Sequence, residues 1–105
     1  MNRLSTHILD TSLGKPAPGV PVRLLQGDRE ISSQLTDLDG RCQNLLSNGK
    51  NLPPGVYRIV FEIATYSPNS LYPEITIAFK VTASDAHLHI PLLLSPFGYT
   101  TYRGS

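Results

Sequence analysis

The prolines and glycines of this chain fall between short runs of strand-forming residues, and that punctuation most limits what it can fold into. The runs are Leu4–Asp10, Val20–Leu25, Glu30–Thr36, Arg41–Leu46, Val56–Ile63, Glu74–Val81, His87–Leu94 and Thr100–Tyr102. Turn-forming sets separate them: Gly14-Lys15-Pro16, Gln26-Gly27-Asp28, Leu38-Asp39-Gly40, Pro53-Pro54-Gly55, Ser67-Pro68-Asn69 and Pro96-Phe97-Gly98. Proline removes a backbone donor and clashes with the preceding helical turn. The nine prolines therefore leave room for a helix only at Thr65–Leu71, where Pro68 limits it to about one turn. Asp39-Gly40 reads as a hairpin-type turn, since both residues tolerate positive φ.

Alternation within the runs predicts a two-sheet β-sandwich of about eight strands. Tyr57, Ile59, Phe61 and Ile63 share one face, against Arg58, Val60 and Glu62; Ile75, Ile77, Phe79 and Val81 oppose Glu74, Thr76, Ala78 and Lys80. Each is a strand with one face in a core and one largely wet. Seven or eight such strands in about 100 residues make a sandwich. Two strands differ. Leu88, Ile90, Leu92 and Leu94 form a core face, but His87, His89, Pro91 and Leu93 behind them are not a solvated set. Likewise Leu4, Thr6 and Ile8 back onto Ser5, His7 and Leu9. A domain this small cannot cover both faces of its sheets alone, so another copy of the chain is expected there.

Composition narrows the class further. At 105 residues the chain is expected to be one domain spanning 1–105. A formal net charge of +1 gives no electrostatic reason to expect nucleic acid or an anionic membrane. No apolar run approaches the roughly 18–20 residues needed to cross a bilayer. The N-terminal residues enter patterned sequence with no apolar signal core. The single cysteine, Cys42, excludes an intrachain disulfide framework. A cytoplasmic protein is the expectation.

Three histidines carry the candidate chemistry. Parity puts His87 and His89 on one strand face, and His7 on the non-core face of another strand. Such a set can make a general acid/base pair titrating near neutral pH. It can also make a three-His zinc site, the weaker idea because no motif places the carboxylates that orient zinc-bound histidines. Arg41, after the Asp39-Gly40 turn, is either a solvated charge or a planar, permanently charged fork for a carbonyl-rich ligand. Cys42 beside it reads as a small core residue, since no signature places a base next to it. Finally, strand-like sequence runs into Tyr102-Arg103-Gly104-Ser105 with no solubilising charge run after it. A terminal segment is usually frayed; this one is expected to be used, with Ser105 supplying a hydroxyl and the terminal carboxylate.

Leu4-Ser5-Thr6-His7-Ile8-Leu9-Asp10-Thr11-Ser12, continuing through Gly14-Lys15-Pro16-Ala17, resembles the opening motif of the transthyretin-related proteins. Thr36-Asp37-Leu38-Asp39-Gly40-Arg41 resembles their central turn. The stretch from His87 to Pro96 and the closing Tyr102-Arg103-Gly104-Ser105 resemble the two signatures of the 5-hydroxyisourate hydrolases, and the tetrapeptide is what separates these from transthyretin itself. The resemblance covers essentially the whole chain. It implies a transthyretin-like sandwich with a short helix after the fifth strand, assembled as a homotetramer, a dimer of dimers. It implies hydrolysis of 5-hydroxyisourate to 2-oxo-4-hydroxy-4-carboxy-5-ureidoimidazoline, with no metal or organic cofactor. Family positions carry over as catalytic His7, Arg41, His89 and Ser105, with His7, Arg41 and Tyr102 binding substrate and His87 and Arg103 secondary.

These residue types suit the chemistry. Opening a cyclic amide needs an activated water, stabilisation of a tetrahedral oxyanion and a proton for the leaving nitrogen. Either His89 or His7 can be the base. The competing expectation is a carrier of a small apolar ligand between subunits, which has no use for the His7/Arg41/His89 set or the tetrapeptide.

Overall fold

The computed structural model describes residues 1–46 and 50–105. Among them, nine strands and one helical turn follow in order: β1 (Arg3–Asp10), β2 (Lys15–Pro16), β3 (Pro21–Gln26), β4 (Arg29–Leu35), β5 (Arg41–Cys42), β6 (Gly55–Phe61), α1 (Ile63–Tyr66), β7 (Ile75–Val81), β8 (His87–Ser95) and β9 (Gly98–Thr101). One sheet runs β2-β1-β8-β9, with β5 also paired to β1; the other runs β4-β3-β6-β7. The pair β1/β8 is parallel and every other pairing is antiparallel. Parallel neighbours need a long connection, and here most of the domain is that connection.

The sheets face each other across an apolar core. Leu4, Ile8, Leu88 and Leu92 from one meet Val22, Leu24, Tyr57, Ile59 and Phe61 from the other, all buried. Burying a side chain of this size contributes about 1.5–3 kcal/mol. Register follows from that core, because a one-residue slip would turn every inward side chain outward. Two polar groups taken inside are bonded to main chain: Thr6 Oγ1 donates to the Ile90 carbonyl at 2.6 Å, and the Tyr57 hydroxyl to that of Pro53 at 2.6 Å.

The two-sheet sandwich is as the alternation predicts, but local boundaries shift. Strand β5 ends at Cys42 rather than Leu46, because Leu45 and Leu46 are both buried and break the alternation. The Asn44 side chain replaces the ladder there, accepting from the amides of Leu4 (3.2 Å) and Leu46 (2.9 Å). The helix starts at Ile63, earlier than the expected Thr65, and takes Ile63 from the preceding strand. Tyr66 anchors it, donating to Asp10 at 2.8 Å, with its phenol pushed up to about 12 by burial and by that carboxylate. The Asp39-Gly40 turn is not a hairpin: it carries the chain from β4 in one sheet to β5 in the other. The two-residue hairpin is Gly27-Asp28, between paired Gln26 and Arg29. The short strand β2 lies in what reads as a turn, recruited by pairing with Leu9 and Asp10. The last strand is Gly98–Thr101, two residues earlier at its start than the sequence pattern gives.

Candidate active site

The outward face of β1, β5 and β8, away from the core, holds a cleft of about 150 Å³ lined by Arg3, Ser5, Arg41, His87, His89 and Ser105, with Gln43 at its side. Its shape follows from pairing. On β8, side chains alternate so that Leu88, Ile90 and Leu92 enter the core and His87 and His89 point out. Parallel register then sets Arg3 beside His87, Ser5 beside His89 and His7 beside Pro91. From the other side of β1, β5 sets Arg41 opposite His7.

Arg41 reaches that position through a tightly built crossover. The Asp37 carboxylate accepts from the amides of Asp39 (2.9 Å) and Arg41 (3.0 Å). Gly40 has φ +73° and donates to the Asp37 carbonyl at 2.9 Å, while its own carbonyl accepts from the Ile8 amide at 2.8 Å. A β-carbon at Gly40 would lie 2.6 Å from the Ile8 carbonyl oxygen. Only glycine satisfies both the left-handed backbone and this approach to β1.

The C-terminal segment is held as specifically. The Gly104 amide donates to the His89 carbonyl at 2.8 Å. A β-carbon at Gly104 would overlap Cδ2 of His89 and come within 3.2 Å of Pro91. Glycine therefore lets the backbone lie on the imidazole, which brings Ser105 into the cleft. The same contact explains why Pro91 is buried within one protomer, although its outward parity suggested a partner would have to cover it. Leu9 and Leu93 remain half-buried on that face.

The cleft is cationic. Burial first, then the charges of Arg41, His7 and His87, hold the His89 pKa below its ordinary 6.5, against an opposing hydrogen bond from the Ser5 main chain. His89 is thus neutral at pH 7, as a base must be. Among the described residues, ion pairs join Arg23 to Glu30, Glu62 and Glu74, and Arg103 to Asp85; Arg41 has none. Burial, then the Asp37 charge, pushes the Cys42 thiol up to about 11, so a thiolate nucleophile is scarce at neutral pH. Among the described residues no three His, Cys, Asp or Glu side chains group as metal ligands would.

Of the residues singled out from sequence, Arg41, His87, His89 and Ser105 meet in the cleft, and His7 flanks it. Tyr102 and Arg103 do not. They line a separate cavity of about 230 Å³ beside Ile77, Phe79, Leu88 and Ile90. Arg103 is drawn away by Asp85, 3.3 Å from its Nη2. Sequence reasoning passed over Ser5, Arg3 and Gln43. Parity does place Ser5 on the His7 face, but its meeting with His89 depends on a pairing between residues 84 positions apart.

A two-sheet sandwich whose outward face carries a histidine- and arginine-lined cleft defines a class: a transthyretin-like fold fitted with acid/base groups. The HIUase/Transthyretin family matches residues 4–104, and the chain belongs to that family. It is 44% identical over 112 residues to a 5-hydroxyisourate hydrolase of Salmonella typhimurium, covering 99% of this chain and 82% of that protein. It superposes on the structure of Klebsiella pneumoniae 5-hydroxyisourate hydrolase with a TM-score of 0.90 and 35% identity, covering all of both chains. A sea bream transthyretin in complex with thyroxine has a TM-score of 0.85 and 30% identity, with 97% and 94% coverage. No helix of the described residues is long and apolar enough to cross a membrane.

Proposed function

We infer that this chain hydrolyses 5-hydroxyisourate to 2-oxo-4-hydroxy-4-carboxy-5-ureidoimidazoline in urate degradation. One observation carries the reading: His89, Arg41 and Ser105 line a single small cleft in a chain whose relatives bear that hydrolase's name. His89, neutral at pH 7, takes a proton from water as it attacks the cyclic amide carbonyl. Arg41, which makes no ion pair among the described residues, grips the polar ring edge and stabilises the developing oxyanion. The protonated His89 returns its proton to the leaving ring nitrogen. His7 flanks the cleft opposite Arg41, and Ser105 orders the water. Tyr102 and Arg103 serve by anchoring the segment that delivers Ser105. A thyroxine-type carrier would have no use for this arrangement.

The reading extends to the assembly and the compartment: a homotetramer built as a dimer of dimers, acting in the cytoplasm. Half-buried Leu9 and Leu93, further along the same outward face, support a further copy packing there. The direct test is spectrophotometric, following freshly generated 5-hydroxyisourate with and without protein. Decay no faster than the spontaneous reaction would return the carrier reading to first place. Light scattering should give four chains at micromolar concentration; a stable monomer would sink the tetramer.

A further inference from the structure

The outward face of β1 contains a residue that the reaction as written leaves unused. Ser5 points away from the core yet is only 7% exposed. Its Oγ lies 2.8 Å from His89 Nδ1 and 3.1 Å from His87 Nε2. We propose that Ser5 is a positioning residue, whose hydroxyl bridges the two histidines and fixes His89 as the tautomer with a bare Nε2 facing the cleft. The proposal rests on the hydrolase reading with His89 as base.

A serine hydroxyl has one proton to give and two lone pairs. Bridging two imidazoles, it can accept an N–H from each, which leaves His89 Nε2 bare, or donate to one and accept from the other in two arrangements. In the first, Ser5 donates to His87 Nε2 and accepts from His89 Nδ1–H, so His89 Nε2 carries a lone pair. In the second, Ser5 donates to His89 Nδ1, and His89 Nε2 carries a proton and cannot act as a base.

Only a proton on Nδ1 leaves a lone pair on the edge of His89 that turns away from Ser5. Gly104 packs on Cδ2 of His89, the carbon bonded to Nε2. The Nδ1 edge thus faces Ser5, and the opposite edge faces the segment carrying Ser105.

The first arrangement also suits the chemistry. One proton leaves water and joins Nε2 as the O–C bond to the carbonyl carbon forms. The Nδ1–H bond to Ser5 stays in place throughout. The resulting imidazolium has its second N–H already bonded, so the hydrogen-bond chain to His87 needs no rearrangement. The same proton then leaves Nε2 for the ring nitrogen as the C–N bond breaks. A partner that holds a catalytic imidazole in one tautomer is worth orders of magnitude in rate in serine proteases.

The test is nitrogen-15 NMR of ring-labelled protein, read together with kinetics. In the wild type at a pH where His89 is neutral, its Nδ1 should be protonated and its Nε2 bare. In Ser5→Ala that population should become mixed, and kcat should fall about 10–100-fold with KM within twofold. Ser5→Thr keeps the hydroxyl and should restore both the tautomer and most of kcat. A wild-type His89 protonated at Nε2 overturns the proposal, and so does Ser5→Ala with unchanged tautomer and kcat. The wild-type spectrum needs no variant to fold and no substrate. If the wild type fails to accelerate 5-hydroxyisourate decay, the hydrolase reading falls separately, while the spectrum still decides the tautomer.

Discussion

The two sheets share one core but present opposite outer faces. On β3 and β6, Arg23 is neutralised by three carboxylates: Glu62 at 2.9 Å, Glu30 at 3.8 Å and Glu74 at 3.9 Å. On β1, β5 and β8, Arg41, His7, His87 and His89 sit together, and burial with mutual charge holds His89 neutral. On the first face Arg23 has its counter-charges beside it and needs no ligand to supply them. The second gathers Arg41 and imidazoles with no Asp or Glu side chain in the cleft lining, an arrangement that makes sense when a polar ligand completes the set. Charge of either kind is equally visible in sequence; what separates them is whether the counter-charge lies on the same face.

Breaking the second face should have the largest effect. His89→Asn should lower kcat about 10²–10⁴-fold, the usual worth of a positioned acid/base group, while circular dichroism and the melting temperature change little. Activity within a few-fold of wild type would move the base elsewhere, with His7 next in line. Gly104→Ala should cost about 100-fold in kcat/KM with the fold intact, because the added methyl must displace the His89 ring, and misplacement near 1 Å has that price. Wild-type kinetics there would detach the terminal segment from the site.

A titration sharpens the comparison. His89 should titrate below 6.5 by NMR, because burial and its cationic neighbours disfavour the charged ring. Between its folded and unfolded pKa values the unfolded chain binds more protons. Its contribution to stability is therefore full above about pH 6.5 and lost as pH falls toward the folded value. A His89 that titrates above 6.5 would mean that negative charge in the cleft outweighs its burial and its cationic neighbours. The smallest effect belongs to the paired face: Arg23→Gln should cost no more than about 1 kcal/mol of unfolding free energy and leave kcat/KM unchanged. A large activity loss in that variant would erase the distinction between the faces.

Much was legible before any coordinates. Alternation in Val56–Ile63 and Glu74–Val81 fixed which side chains enter the core, since a strand's period of two is set by its own backbone. The odd outward sets at His7 and at His87 and His89 marked the face that carries the cleft for the same reason. Local chemistry also limited the helix, because Pro68 lies just beyond it. Where the pattern misled, a distant partner had intervened. Asp39-Gly40 carries a hairpin signature, but Gly40 is used to cross between sheets against Ile8. Leu45 and Leu46 continue a strand-like run, but Asn44 caps the ladder.

The sequence by itself determined the sandwich, its core faces and the identity of His7, Arg41, His89 and the terminal tetrapeptide as the residues to watch. These depend on intrinsic backbone geometry, on short-range sterics and on a motif. Only the tertiary structure decided which of them meet. The parallel pairing of β1 with β8 sets Ser5 against His89 and His87, the crossover at Gly40 sets Arg41 opposite His7, and Gly104 lays the terminal segment on the imidazole while Tyr102 and Arg103 turn to another cavity. Those contacts join residues 15 to 84 positions apart, and nothing local to either partner encodes such a meeting. It arises because burying both sheets' apolar faces at once leaves one register that also satisfies the backbone.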